Sequence, residues 1–263
     1  AIQIDDEFRA FAAGMGLHSA LCVGGVAIAR QISQLNRKPH VVIGTPGRLK
    51  DLVNRRSLNL TQTNILVLDE ADRMLDMGFV RDIRFLIGQL PSKRQSLCFS
   101  ATVTPEIKVL MDDLLHDPVL VSVRVSETSE HVEQDVIKAS SSQEKLTVLN
   151  ELLRKPEFDK VLIFGQTKRG VQNLADKLTK EGLPAEAIHG NKSQSQRQRA
   201  LKAFKTNQVG VLVATDVAAR GLDIPNVSHV INYDQPNTYE DYIHRIGRTG
   251  RAGNSGHALT FIS

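Results

Sequence analysis

The sequence is poor in the residues that cross-link proteins or anchor them in membranes. Its 263 residues include no tryptophan, two cysteines and only 5% aromatic residues. Cys22 and Cys98 lack CxxC or Cys/His ligand spacing, so buried free thiols in a reducing compartment are favoured over a disulfide or a zinc site. The sequence shows neither the roughly 18 to 20 apolar residues of a membrane span nor a secretory pattern. We therefore expect a cytoplasmic protein that does not cross a membrane.

The net charge does not identify a function, but the length of the chain limits the number of domains. The 33 Lys and Arg residues exceed the 29 Asp and Glu residues by four, and the sequence pI is about 9.1. This mild basic excess is compatible with a polyanionic partner but does not identify one. A chain of this length can form two domains, each with its own core.

Short aliphatic segments alternate with amphipathic helical segments along most of the chain. A polar stretch, 124–134, interrupts this alternation and predicts a linker between domains at 1–123 and 135–263. Alternating strands and helices predict parallel sheets covered by helices, an α/β fold. The predicted strands are 20–23, 40–43, 65–68, 96–99 and 119–123 in the first half, and 132–138, 161–164, 185–188, 211–214, 230–232 and 258–262 in the second.

The stretch 65–72 places three carboxylates directly after four aliphatic residues. This pattern predicts a strand buried on both faces, with acidic groups emerging at its carboxyl end. There, Asp69 could hold Mg²⁺ through its water shell, while Glu70 orients or deprotonates a water that attacks a nucleoside triphosphate. Acidic residues also favour helix N-termini. The tetrapeptide alone leaves both interpretations open.

Further polar motifs follow other predicted strands. They are Ser100-Ala101-Thr102, Ala214-Thr215-Asp216, Arg220-Gly221-Leu222-Asp223 and the run from His244 to Arg251, together with Gly24-Gly25, Thr45-Pro46-Gly47-Arg48, the run from Phe164 to Gly170, and Gln194-Ser195-Gln196-Arg197. In this order they resemble, residue for residue, the signatures of the DEAD-box RNA helicases of superfamily 2, with a bacterial-type core. The resemblance runs through the whole chain. It implies two RecA-like parallel-sheet domains in tandem.

The resemblance also implies a hydrolase that uses ATP and Mg²⁺, with its chemistry divided between the two halves. In the first half, Asp69 holds Mg²⁺ through water, Glu70 acts on the attacking water, and Asp72 contacts the hydroxyls of Ser100 and Thr102. That contact would couple hydrolysis to RNA separation.

In the second half, the resemblance assigns Asp223 to the ribose, and His244 and Arg245 to contacts with the acidic and Ser-Ala-Thr segments. Arg248 and Arg251 are the implied arginine fingers, which would reach the nucleotide only when the halves close. Two guanidinium groups three residues apart can neutralise charge on phosphate oxygens as the bond breaks. A solvated basic face is the alternative for these arginines.

RNA is the implied partner, bound with little sequence specificity. Short polar groups and glycines favour phosphate and sugar tracking over base reading, and contacts with 2′-hydroxyls would distinguish RNA from DNA. For Thr45, Gly190 and Thr215, a turn or cap role is an open alternative. The helix after Pro46 resembles the wedge that bends one RNA strand. The matching positions are Gly25, Thr45 and Arg48 in the first half, and Arg169, Gly190, Gln194, Arg197 and Thr215 in the second.

One expected motif is missing from the sequence. The 263 residues contain no GxxxxGK[ST] loop to cradle phosphates. We therefore expect a fragment of a longer monomeric enzyme, with an incomplete first domain and some apolar surface uncovered. By itself the fragment would bind ATP weakly and would not unwind RNA. The alternatives are a non-catalytic RNA-binding or annealing protein that has lost the loop, and a DNA-directed translocase of the same superfamily, which the motif set disfavours.

Overall fold

The protein is described by a computed structural model that covers residues 1–122, 132–219, 224–250 and 255–262. The chain divides into two compact units, Ala1–Val121 and Ser122–Ser263. Most of the predicted linker, 124–134, lies outside the described residues. None of the helices in the described ranges is long and apolar enough to cross a bilayer.

The first unit contains two pairs of parallel strands with helices between them. Strand β1 pairs with β2, and β3 pairs with β4. The predicted order of helices and strands is confirmed up to the end of the last helix, except that the short helix Ala71–Asp76 was not predicted. The elements are α1 (Ile2–Phe11), β1 (Ser19–Cys22), α2 (Ile28–Leu35), β2 (Val41–Gly44), α3 (Pro46–Asn54), β3 (Ile65–Leu68), α4 (Ala71–Asp76), α5 (Val80–Ile87), β4 (Gln95–Cys98) and α6 (Pro105–Leu114).

The prediction that β3 is buried on both faces is wrong. Leu68 is buried against Ile83 of α5 and Leu110 of α6, but Ile65 and Val67 are each 53% exposed. Alternate residues of a strand point to opposite faces. The described helices therefore cover one face of β3 and leave Ile65 and Val67 exposed on the other.

Apolar side chains are also exposed in two other segments of this unit. The strand predicted at 119–123 does not form at 119–122, and residue 123 lies outside the description. Val119, Leu120 and Val121 are 74% to 89% exposed because no described strand pairs with them. In α1, Phe11 is 76% exposed, whereas Asp5 is buried and accepts a hydrogen bond from Ser19 Oγ at 2.5 Å.

The second unit is built on one six-stranded parallel sheet with the strand order β5-β10-β9-β6-β8-β7. All six strands predicted for this half are confirmed. The elements are β5 (Val132–Lys138), α7 (Ser142–Leu153), β6 (Val161–Phe164), α8 (Lys168–Lys180), β7 (Ala185–Ile188), α9 (Gln194–Lys205), β8 (Val211–Ala214), α10 (Asp216–Ala219), β9 (His229–Asn232), α11 (Tyr239–Ile246) and β10 (Gly256–Ile262).

Helices cover both faces of the central strands in this sheet. In β6, Ile163 packs in a cluster with Leu149 of α7 and Leu178 of α8, while Phe164 packs with Phe204 of α9 on the other face. Each fully buried aliphatic or aromatic side chain contributes roughly 1.5 to 3 kcal/mol. These two clusters fix the sheet whose carboxyl edge carries the polar motifs of the second half.

Candidate functional site

The acidic motif stands at the carboxyl end of β3, as the sequence predicts. Asp69 is exposed, and Glu70 has the left-handed backbone angles φ 52° and ψ 52°. This conformation costs a non-glycine residue roughly 1 kcal/mol or more. Glu70 Oε2 pairs with Arg73 Nη1 at 2.9 Å. Glu70 occupies the N-cap position of α4 but makes no side-chain capping bond there within the described structure.

The structure brings Asp72 together with Ser100 and Thr102. The Asp72 N–H donates to Ser100 Oγ at 3.3 Å, and Asp72 Oδ2 accepts from the Thr102 N–H at 3.2 Å and from its hydroxyl at 3.3 Å. Ser100 Oγ in turn donates to the Thr102 carbonyl at 2.6 Å. Neither hydroxyl caps the following helix: the N-cap of α6 is Thr104, whose Oγ1 accepts from the Ile107 N–H.

Two loops that follow neighbouring strands carry the predicted RNA contacts of the first unit. Gly25, at φ 74°, lies in the turn after β1, and Thr45 lies between β2 and α3. Arg48 Nη1 donates to the Val26 carbonyl at 3.1 Å and so joins the two loops. The Thr45 side chain makes no capping bond to α3 in the described structure. Gly25, Thr45 and Arg48 therefore share one edge of the β1-β2 sheet.

A buried glutamine supports the glycine turn. Gln31 of α2 is 2% exposed, and its Nε2 donates to the Val23 carbonyl at 2.9 Å. Sequence reasoning missed this residue because nothing in a helical segment marks one polar side chain as buried.

The predicted RNA contacts of the second unit surround the ends of β7 and β8. The two strands pair in register from Ala185 with Val211 to Ile188 with Ala214, so Gly190 and Thr215 follow adjacent strand ends. The Thr215 N–H donates to the Ile188 carbonyl at 3.2 Å. Thr215 is 8% exposed, which places its side chain mostly inside the unit.

The helices on either side of these strand ends carry the remaining predicted contacts. Arg169 is exposed in the first turn of α8, and Gln194 begins α9. Arg197 is half-buried, and its Nε is a buried donor without a partner in the described structure. A buried unpaired donor is costly, so an external acceptor would stabilise this arginine.

Arg245 is fully engaged inside the second unit. Its side chain is 1% exposed, and it forms a two-pronged pair with Asp216 at 2.6 and 2.8 Å. Its Nη1 donates to Asn232 Oδ1 at 3.1 Å and to the Asp234 carbonyl at 2.7 Å, and the guanidinium lies 5.2 Å from the centre of the Phe164 ring. Contacts of Arg245 with the acidic and Ser-Ala-Thr segments stay a prediction.

The remaining residues of the arginine motif are only partly described. Arg248 is half-buried and its Nε donates to the His244 carbonyl at 3.2 Å, one turn back in the chain. Thr249 is buried and donates to the Val227 carbonyl. Asp223 and Arg251 lie outside the described residues, so their predicted roles are not tested.

The surroundings of both cysteine thiols favour the protonated, unreactive form. Neither forms a disulfide. Burial raises the pKa of Cys22 to about 11 and also raises the pKa of Cys98. A thiol of high pKa is a weak nucleophile and metal ligand. The predicted buried free thiol is confirmed for Cys22, whereas Cys98 is half-buried.

The acidic motif could supply only part of the coordination shell of Mg²⁺. Among the described residues there is no group of three or more His, Cys, Asp or Glu side chains arranged around a metal. Mg²⁺ in phosphoryl-transfer sites keeps several waters and takes one or two carboxylates plus phosphate oxygens. The exposed carboxylate of Asp69 matches that requirement, but the other ligands would be water and bound phosphate.

Both halves of the sequence match known helicase families. A DEAD/DEAH box helicase family model matches residues 1–110, and a helicase conserved C-terminal domain model matches residues 144–253. The chain is 44% identical over 263 residues to the ATP-dependent RNA helicase CshA of Listeria monocytogenes, and it spans about half of that protein's length (50%).

Solved structures show the same fold. The Saccharomyces cerevisiae protein Dbp5 bound to RNA and ADP BeF3 is 30% identical, with a TM-score of 0.84 over 99% of this chain and 68% of its own. Mss116p bound to ssRNA and AMP-PNP is 31% identical, with a TM-score of 0.86 over 99% of this chain and 56% of its own. The predicted α/β class with tandem RecA-like domains is confirmed. On its motifs, its family matches and its fold, the chain belongs to the DEAD-box helicases.

Proposed function

We propose that this chain is the motor part of an ATP-dependent RNA helicase, which couples ATP hydrolysis to local separation of RNA strands. The observation that carries the proposal is the set of three hydrogen bonds joining Asp72 to Ser100 and Thr102. These bonds connect the ends of β3 and β4, so a change at the acidic motif is passed to the neighbouring segment. CshA is named an ATP-dependent RNA helicase, and the matched Dbp5 and Mss116p structures contain RNA and nucleotide analogues.

Glu70 is the proposed proton acceptor. Arg73 Nη1 pairs with its Oε2 at 2.9 Å. Asp69, exposed one residue earlier, would hold Mg²⁺ through the metal's water shell. When bound, Mg²⁺ supplies positive charge against the phosphate oxygens. The roles of Asp223, His244, Arg248 and Arg251 toward ATP are carried by the family resemblance.

RNA is proposed to bind along its backbone on two surfaces. One is formed by the loops that Arg48 joins in the first unit, and the other surrounds Gly190, Arg169 and Arg197 in the second. Backbone amides, guanidinium groups and hydroxyls recognise phosphate and sugar, which every RNA sequence presents. We therefore expect the affinity for RNA to depend strongly on the salt concentration and only weakly on the RNA sequence.

The substitution Glu70→Gln in the whole gene product tests the catalytic proposal. An amide cannot accept the proton of the attacking water, so RNA-stimulated phosphate release should fall by roughly a hundredfold or more, while RNA and nucleotide still bind. Glu106→Gln, an exposed carboxylate on α6, is the matched control and should leave turnover unchanged. Equal turnover in both variants would remove Glu70 from its role.

A non-catalytic RNA-binding or annealing protein is the second candidate, favoured by the missing GxxxxGK[ST] sequence in these 263 residues. We expect the 263-residue chain alone to bind ATP weakly and not to separate RNA strands. Phosphate release should be measured for this chain and for the whole gene product, each with RNA, with DNA and without nucleic acid. Turnover by the 263 residues contradicts the expectation, and stimulation by DNA alone favours a translocase.

We further propose a monomer that works in the cytoplasm, where two unpaired thiols remain reduced. Sedimentation equilibrium of the whole gene product over a wide concentration range tests the monomer. A mass that rises with concentration argues against it.

A further inference from the structure

A series of hydrogen-bonded polar side chains leads from α8 to the loop that contains Gly190. His189 directly follows β7 and is 6% exposed. Its Nε2 lies 3.0 Å from Gln172 Oε1 on α8, and Gln172 Nε2 donates to Asp176 Oδ1 at 2.8 Å. On the other side of the ring, Nδ1 accepts from the Asn191 N–H at 3.3 Å. The imidazole is therefore held from both sides.

These partners allow only one protonation state of the ring. An ionised carboxylate can only accept, so the Gln172 amide must turn its NH₂ to Asp176 and its oxygen to His189. A backbone N–H can only donate, so His189 Nδ1 must carry the lone pair. His189 is therefore the neutral tautomer with its proton on Nε2. A second proton on Nδ1 would face the Asn191 N–H and break that bond.

The charges around the ring also favour the neutral form. Burial lowers the pKa of His189, and the nearby cations Lys192 and Lys168 lower it further. Lys192 lies 3.8 Å from Glu186 of β7, the one acidic residue on that strand. All the charged residues of α9, which follows the loop, are basic, and on α8 the single acid is Asp176, already bonded to Gln172.

The loop that His189 holds leads into the predicted RNA contacts. Gly190 is exposed, and a Cβ there would lie 3.1 Å from Lys168 Cε, so the glycine allows this lysine to lie close to the backbone. The Lys192 N–H donates to the His189 carbonyl, and Ser193 then caps α9 in a reciprocal pair with Gln196. The position of the Gly190 backbone thus depends on the bond between His189 and Asn191.

We propose that His189, oriented by Gln172 and Asp176, is a positioning residue whose neutral ring holds the Gly190–Asn191 backbone in the conformation that accepts an RNA phosphate. Protonation of the ring releases this backbone and weakens RNA binding. The inference rests on the proposed RNA-binding function and deepens it. It adds Lys168 and Lys192 to the cationic surroundings of the phosphate, and neither lysine is among the RNA contacts predicted from the sequence.

Two substitutions separate the two sides of the ring. In His189→Asn, the amide oxygen can take the place of Nδ1 and accept from Asn191, but the contact with Gln172 is lost. In His189→Gln, the amide nitrogen can take the place of Nε2 and donate to Gln172, but the acceptor for Asn191 is lost. Neither side chain titrates. His257→Gln, on β10 next to the opposite edge of the same sheet, is the matched control.

The measurement is the affinity of the 263-residue chain for a fluorescent oligouridylate of about ten nucleotides, from pH 7.5 to 5. Uridine does not titrate in this range, and circular dichroism at each pH shows that the chain is still folded. We expect His189→Gln to bind roughly threefold to tenfold more weakly at pH 7.5, the effect of one lost hydrogen bond. The unsubstituted chain and His257→Gln should bind RNA progressively more weakly as the pH falls toward 5, because the lowered pKa of His189 places its protonation below the ordinary imidazole range.

His189→Asn should keep its affinity across the whole pH range, because its acceptor cannot be protonated. The Asn191 amide resonance in a ¹⁵N-labelled sample should shift with pH in the unsubstituted chain but not in His189→Asn. RNA binding that is equal in all variants at every pH overturns the role of His189 alone. If the unsubstituted chain does not bind RNA at pH 7.5, the proposed RNA-binding function and this role fail together.

Discussion

At the scale of single residues, Arg245 shows how a motif residue can serve the interior of a domain. Its guanidinium ties Asp216, which follows β8, to Asn232 and Asp234 at the end of β9. Asn232 is itself buried and donates to Thr260 Oγ1 of β10 at 3.0 Å. The ends of three strands are thus connected through the side chains of Arg245 and Asn232. This arrangement keeps the carboxyl edge of the sheet in register.

Replacing Arg245 should therefore destabilise the second unit. Arg245→Ala leaves the carboxylate of Asp216 without its partner in a largely buried site, and we expect a loss of about 3 to 5 kcal/mol. Arg245→Lys keeps the charge but loses the fork geometry, so the loss should be smaller. Urea unfolding followed by tyrosine fluorescence measures both. Arg199→Ala, an exposed arginine of α9, is the control and should change stability by less than about 0.5 kcal/mol.

His229 should make the second unit sensitive to acid. The ring is 6% exposed and stacks between Phe158 and His257, with centroid distances of 3.9 and 4.9 Å. Burial, with a further contribution from His257, lowers its pKa from 6.5 to about 4, against a small opposing effect of Glu157. The unfolded chain therefore takes up a proton first as the pH falls. The contribution of neutral His229 to stability is fully present above pH 6.5 and is lost between about pH 6.5 and pH 4.

We expect this loss to amount to roughly 2 to 3 kcal/mol in urea titrations between pH 7 and pH 4. His229→Phe keeps a ring in the stack but carries no proton, so its stability should change less over the same range. His116→Gln, an exposed histidine of the first unit, should keep the pH dependence of the unsubstituted chain. A pH dependence that is unchanged in His229→Phe would show that another group is responsible.

At this scale the sequence motifs predicted one contact between distant residues but not how the other motif residues are bonded. Asp72, Ser100 and Thr102 were expected to meet, and they lie within hydrogen-bonding distance. The pair of Arg245 with Asp216 joins residues 29 positions apart. No spacing rule predicts such a pair, because it depends on which strands are neighbours in the folded sheet.

At the scale of elements, Gly44 allows α3 to pack close to the end of the β1-β2 sheet. A Cβ at this position would lie 2.6 Å from the Cys22 carbonyl oxygen of β1 and 2.7 Å from Leu49 Cδ2 of α3. The Thr45 N–H donates to the same carbonyl at 3.0 Å. The close approach of α3 to the sheet therefore depends on the absence of a side chain.

Gly44→Ala should move α3 and its neighbouring loop. We expect a loss of about 1 to 3 kcal/mol in the stability of the first unit, the usual cost of overpacking, together with weaker RNA binding. Gly88→Ala, where a Cβ would meet no atom closer than 3.5 Å, is the matched control. Urea unfolding monitored by circular dichroism compares the two variants. Equal stability would show that the β1-β2 sheet yields to the added methyl group.

The elements also show where prediction from sequence stops. Both 65–68 and 161–164 are four-residue apolar runs, and both form strands as predicted. Helices cover both faces of β6, whereas β3 keeps Ile65 and Val67 exposed. The pattern of a segment predicts its own conformation, but its burial depends on what other parts of the fold lie against it. The exposed Phe11 of α1 illustrates the same limit.

At the scale of the whole molecule, each unit has its own buried clusters and a different amount of sheet. The first unit has two clusters, one on the β1-β2 pair and one on the β3-β4 pair. The second has a six-stranded sheet with a large cluster on each face. Two-stranded sheets are marginal without further packing. We therefore expect the first unit to be the less stable of the two.

This difference predicts two separate unfolding steps, which the natural chromophores can resolve. The chain has no tryptophan and three tyrosines, Tyr233, Tyr239 and Tyr242, all in the second unit. In a urea titration, far-ultraviolet circular dichroism should show an early step for the first unit and a later step for the second. Tyrosine fluorescence should follow only the later step. Coincident single transitions by both probes would mean that the units unfold together, because a shared transition indicates one cooperative system.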